Sequence, residues 1–520
     1  MTEPPTTQGD DAGDPSYEVW PLGTPAEREL MLRAYTRGMK KRARDPLERI
    51  VELVENMSCR TVVVEHGYYD ADFRSENSEY WSTLHKRRPP VALRLHFFRA
   101  EISEDDVYRL DREDHGYLGF SVLRPSTLGP VGRTVIAVPR HLRSAHLCSI
   151  TDRVNVFGAE LEVVGVPFCQ QDGELLRCAH AAAWTCQYVA HSRGIAPRAL
   201  TADIAVLPPP EMSPYRGLPS SGLRLEQIQT LFRGLGMPAI LYDAKDLPEV
   251  PGLKNDEERT QAVLCKYLTS GFPIVILTDD DHAFTLVGWH QGPGGLEFIA
   301  CDDQVGPYGL VSYNPESSNW SGIMVPVPPK LFLSGEGAEM WAYSSLSIEV
   351  EEAGESGVEA APEAVRIIDG LNACDRPVSV RSHLVLARDY KALLTDRGLD
   401  EPAVRLLRLA SLPKWVWVVE FQERVERVAG KPCVIAEVVL DSTSNDELPE
   451  INATVVQGGA IVTTQVTDRR SPGAPGVPDM CATNTGLWKS IEQLVRPRPR
   501  PYVPEPDSPE ITVTPSATIR

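Results

Sequence analysis

Apolar positions recur along this chain with two different periods. Over residues 26–57, AERELMLRAYTRGMKKRARDPLERIVELVENM, they follow the spacing of one helix face, and the pattern predicts helix with a break near Asp45-Pro46. β-branched runs bounded by turn residues come next: TVVVEH (61–66), VALRLHFF (91–98), YLGFSVL (117–123), TVIAVP (134–139) and ELEVVGVPF (160–168). They predict strands. The stretch CAHAAAWTCQYVAHSRG then opens at Cys178 and is apolar nearly all round. Ala181, Ala182, Thr185, Cys186 and Val189 fall on one helical face, with Trp184, Tyr188 and His191 near another. Such a helix belongs at the centre of a core, and Gly194 is a natural stop.

Two further helices are predicted over 220–236 and 256–271, followed by strands PIVILT (273–278), HAFTLVGWH (282–290) and LEFIACDD (296–303). Near the C-terminus a helix around YKALL precedes KWVWVVEFQ (414–422) and PCVIAEVVLDST (432–443), which read as a hairpin turning at Ala429-Gly430. A short helix is expected at TGLWKSIEQLV. The chain is thus expected to be α+β. Its expected organisation is a disordered N-terminus (1–15), an N-terminal α+β region (16–160), a core (161–348), an acidic linker (349–375), a C-terminal α+β domain (376–495) and a proline-rich disordered tail (496–520).

Composition narrows the function classes. Of 520 residues, 42% are hydrophobic and 24% charged, ordinary values for a folding chain. A formal net charge of -20 repels phosphate backbones and anionic membranes, so neither nucleic acid nor membrane is an expected partner. No apolar run is long enough for a membrane helix and no secretory signal is readable in the first thirty residues, which predicts a cytoplasmic protein. The ten cysteines form no CxxC pair. They read as thiols rather than disulfides or zinc knuckles, and no metal or cofactor is expected. Glu65, Asp70 and Asp72 in VEHGYYDADF read as a solvated acidic face.

Two segments carry candidate chemistry. Cys178 begins its helix, where unpaired backbone N–H groups and the helix dipole favour a thiolate, although a buried structural thiol is the plainer meaning of any single cysteine. Residues 278–309, TDDDHAFTLVGWHQGPGGLEFIACDDQVGPYG, place His282 at the head of an apolar strand after an aspartate turn. A Gly-rich turn reverses the chain, and the returning strand ends in Asp302-Asp303. Thiol catalysis needs an imidazole within reach of the cysteine and a carboxylate or amide to fix its tautomer. Cys178, His282 and Asp302 supply those types, with Asp303 the alternative acid because adjacent strand residues face opposite ways.

In this order and context the residues resemble the papain-like cysteine peptidase superfamily. HAFTLVGWH is similar to its histidine motif. The spacing of DDQVG is similar to the Asp-Pro-x-x-Gly ending of bacterial peptidases that process bacteriocin leader peptides. The likeness covers roughly 160–310. Cys178 is followed by Ala179 rather than tryptophan, and the third member is Asp rather than Asn. The resemblance implies a papain-like core, a central helix against antiparallel sheet, flanked by β-rich regions. It implies a thiol hydrolase cutting a peptide or isopeptide bond in a protein or peptide substrate, with Gln171, or alternatively Gln170, joining the Cys178 N–H in an oxyanion hole. Transglutaminase-like acyl transfer and a catalytically silent interaction module are the competing expectations. The sequence leaves the oligomeric state open.

Overall fold

The computed structural model describes residues 17–85, 88–111, 114–207, 220, 222–248, 251, 253, 255–292, 294–356, 362–373, 377–394, 401–428, 431–444 and 451–456. The expected disordered ends, the Ala429-Gly430 turn and the helix at 485–495 lie outside these residues. Those described build an α+β fold around three antiparallel sheets. The first has seven strands, in spatial order Tyr17–Pro21, Thr61–Tyr68, Ala92–Phe98, Tyr117–Leu123, Val131–Ala137, Ala159–Phe168 and Ile150–Val156. The second runs Gly306–Val311, Gly295–Asp302, Ala283–Gly292, Ile274–Thr278, Trp320–Pro326 and Ala239–Asp243, with His146–Leu147 also paired to Ala283–Gly292. Val378–Leu386, Trp415–Val428, Lys431–Asp441 and Ile451–Val456 form the third.

Between the first two sheets lies the helix Cys178–Ser192, in which every residue from Ala179 to Ala190 is buried. Its alanines let it approach the strand Ala283–Gly292 closely, and the Thr285 hydroxyl donates to the Ala182 carbonyl at 3.4 Å. Trp184 is fully buried and fills the opposite side. The helix ends as its sequence predicts, with Gly194 at a φ of 67° that costs a residue without Cβ little.

One continuous apolar core joins all three sheets, from Val63 and Phe120 through this helix to Trp417 and Val438. The C-terminal sheet docks through buried polar groups as well. Trp417 donates its indole N–H to the Leu333 carbonyl at 2.9 Å, and the Leu384 N–H donates to the Ser270 hydroxyl at 2.8 Å. Lys266 lies 2.8 Å from both Glu336 and Glu339, whose second partner, at 2.5 Å, is the Ser382 hydroxyl. The interval 349–375 is mostly helical rather than an acidic linker. It holds the end of Gly335–Ser356 and the helix Pro362–Asn372, whose Ala364, Ile367 and Leu371 are buried. Few large residues were needed to make that face apolar, which is why composition resembled a linker.

The N-terminal helices also depart from expectation. The break comes at Gly38, with φ 81°, and the helix Lys41–Asn56 runs straight through Pro46. Proline has no N–H, so the Arg42 carbonyl four residues earlier loses its helical donor. The Gln170 side-chain amide takes the vacancy, donating to the Arg42 and Ala43 carbonyls at 3.3 Å each. A tertiary contact thus replaces the missing local one.

Tyr308 couples the first two sheets. Fully buried, it donates to the Ile136 carbonyl at 2.8 Å and accepts from the Val166 N–H at 3.0 Å. Gly165 makes room, since a Cβ there would come within 2.0 Å of the Ile136 oxygen. Tyr308→Phe strands both backbone groups in the core, and a destabilisation of about 1–3 kcal/mol in chemical denaturation is expected.

Candidate active site

The loop leading to Cys178 is fixed by buried charge. Arg124, ion-paired to Glu76 at 3.0 Å, spreads its guanidinium over three carbonyls: Gly129 at 2.8 Å, Val131 at 3.1 Å and Gln170 at 2.6 Å. Gly129 must lack a side chain, because a Cβ would sit 1.9 Å from the Gln171 oxygen. Beyond Gln171 the chain turns around Asp172, whose carboxylate accepts from the N–H groups of Glu174, Leu175 and Leu176 at 2.8, 2.7 and 3.1 Å. Asp172 itself is buried. This turn delivers Cys178 to the first position of its helix, partly exposed, where its N–H has no helical partner.

His180, two residues in, is engaged in the helix cap. Its Nδ1 accepts from the Arg177 N–H at 3.1 Å, the return half of a helix cap, and burial followed by the Arg177 charge holds its pKa down to about 4.

His282 arrives from the opposite side. Thr278 clasps the aspartate turn, accepting from the His282 N–H at 3.2 Å and donating to its carbonyl at 3.0 Å, while Asp281 adopts a φ of 58°. The imidazole then has two neighbours along its ring. Nε2 lies 3.1 Å from Asp302 Oδ2, and Nδ1 lies 3.1 Å from the Gln304 amide. With the ring neutral, Nε2–H donates to Asp302 and Nδ1 accepts from Gln304. With the ring charged, Gln304 presents its carbonyl instead. Asp302 is held in turn by the Gln304 N–H at 2.8 Å. Burial disfavours a charged ring, yet hydrogen bonding to Asp302 and Cys178 and the charges of Asp302 and Asp303 raise His282 to about 10.

The structure therefore brings Cys178, His282 and Asp302 together. Asp303 sits beside them, 4% exposed, and lines the same cleft as Cys178. Burial and the Asp302 charge raise it to about 7. Gln171 lies next to Asp303 and favours its charged form, but neither carboxylate oxygen completes a hydrogen bond. Gln170 is occupied by the carbonyls described above and by the Val131 N–H at 3.2 Å, so its amide is committed to structure.

Three other groups are accounted for. His290 pairs with Glu297 at 3.1 Å at the far end of the hairpin. Cys186 is buried, its thiol pushed well above the ordinary range. Asp70 and Asp72 are buried, contrary to a solvated face: Asp72 bonds Arg198 at 2.7 Å and Asp70 bonds Arg133 at 3.3 Å, while Glu65 pairs with Arg94 at 2.7 Å. The basic partners lie far off in sequence, which hid them. Sequence reasoning also passed over Asp172, whose role lies in backbone N–H groups, and Gln304, two residues beyond Asp302, whose amide meets the His282 ring.

No protein-family model matches the chain, and no curated protein is significantly similar to it.

Asp172→Ala frees three N–H groups, and hydrogen exchange at Glu174, Leu175 and Leu176 is expected to accelerate about 10-fold or more while the strands keep their protection. His180 adds a pH dependence. Its folded pKa lies below the unfolded value, so its contribution is complete above pH 6.5 and is lost as pH falls toward 4. Thermal melts should show stability declining through that window, less steeply in His180→Gln, which keeps the cap without the titration.

Proposed function

We propose that this chain is a thiol hydrolase with a papain-like core that cleaves a peptide or isopeptide bond. The observation that carries it is the placement of His282 between Asp302 on Nε2 and the Cys178 side of the site, with Cys178 at a buried helix's N-terminus. The charged His282 ring can supply the proton that the leaving amine requires.

In this mechanism the Cys178 sulfur attacks the scissile carbonyl and forms the new C–S bond. The developing oxyanion is received by the Cys178 N–H and the Gln171 amide, since Gln170 is committed elsewhere. As the tetrahedral intermediate collapses, the C–N bond breaks and the His282 proton passes to the leaving amine. His282 then takes a proton from water, whose oxygen attacks the thioester, and the acid is released with the thiolate restored. Asp302 holds the ring in its working tautomer, itself oriented by the Gln304 N–H. The N- and C-terminal regions would select the substrate.

The test is chemical labelling of the full chain with a limiting alkylating probe, read by peptide mapping. Cys178 is expected to react at least about 10-fold faster than the other thiols, and its rate to fall in His282→Asn. Cys186→Ala should cost packing and leave the labelling unchanged. Equal labelling of wild type and Cys178→Ala would remove the basis for a thiol nucleophile.

A further inference from the structure

Asp303 takes no part in the hydrolase chemistry, yet it is built into the site. It is nearly fully buried, and both of its oxygens lack a hydrogen-bond donor. A buried carboxylate left this way is costly, and such groups ordinarily have a protein, water or ionic partner. Its neighbours suggest which. One nitrogen of His282 and one oxygen each of Asp302 and Asp303 lie within 4.8 Å of one another. Asp303 lines the cleft that Cys178 also lines, so a bound atom there has the sulfur as a nearby fourth donor.

We propose that His282, Asp302 and Asp303 bind a divalent transition cation of the zinc class. Two carboxylates balance the dication once the imidazole gives up its proton to bind, and an imidazole in the set selects zinc-like ions over magnesium or calcium, which prefer all-oxygen sites. Small shifts of the two aspartates bring three donors onto one centre and leave a position for Cys178 or water. The cation provides the Asp303 oxygens with the partner they lack.

This goes beyond the hydrolase assignment and constrains it. A cation on the His282 nitrogen that faces Asp302 removes the contact orienting the ring, and a cation drawn toward Cys178 masks the sulfur. Cation binding and thiol reactivity therefore exclude one another: the metal-loaded protein is silent and a chelator releases it.

The experiment titrates Zn²⁺ into chelator-treated full-length protein by calorimetry, with Co²⁺ as a spectroscopic substitute. One equivalent is expected to bind, with ligand-field absorption in the visible for Co²⁺. Asp303→Asn, similar in shape, should weaken binding by at least about 10- to 100-fold with its circular dichroism unchanged. Cys178→Ala, in which water takes the fourth position, should still bind one equivalent and lose less affinity than Asp303→Asn, which separates this site from adventitious capture by the thiol and from the fate of the hydrolase proposal. Alkylation of Cys178 should slow on adding Zn²⁺ in wild type and not in Asp303→Asn. Should Asp303→Asn fail to fold, Asp302→Asn and a zinc-dependent rise in wild-type melting temperature make the same comparison. No binding by wild type, or equal binding by the aspartate variants, overturns the proposal.

Discussion

The burial of the Cys178–Ser192 helix on all sides constrains everything around it. An apolar helix cannot face water, so the first two sheets pack to cover it, and its small alanines allow the strand Ala283–Gly292 to come close. The polar end of the helix is then the place where chemistry can begin. Its first residue is a partly exposed cysteine, and the strand that covers it is preceded directly by His282. The geometry of the candidate site follows from how the core is closed.

Buried charge is the second organising feature. The chain carries a large negative excess, yet inside it acids are matched with bases: Glu76 with Arg124, Asp72 with Arg198, and Glu336 and Glu339 with Lys266. Such pairs add little net stability, because desolvation offsets their attraction, but losing one partner leaves the other buried and uncompensated at a heavy penalty. The Arg124 guanidinium shows the use of that penalty. It ties three carbonyls of two chain segments to one position next to Gln171. Asp303, beside the site, differs from these pairs in that neither of its oxygens completes a hydrogen bond.

Strands were legible in the sequence where β-branched runs met clear turns, and Tyr117–Leu123 coincides with its predicted run. The buried helix was legible because no face of it is polar, and the cysteine, histidine and aspartate because each stands at an element's end. What escaped was decided by tertiary contact. Pro46 looked like a break because the donor that replaces its N–H lies over a hundred residues away, in Gln170. Asp70 and Asp72 looked solvated because Arg133 and Arg198 are distant in sequence. Gln304 could not be assigned because nothing local reveals that its amide meets His282. Choosing between Gln170 and Gln171 likewise required knowing which carbonyls lay nearby.

The proline in the N-terminal helix has a mechanical meaning. A regular helix can slip along its axis by a turn and find equivalent contacts, but the vacant carbonyl occurs once. Gln170 engages that single notch as a key engages a lock, so the helix Lys41–Asn56 and the segment leading to Cys178 share one register. The N-terminal helix thus helps fix the segment that leads to Cys178.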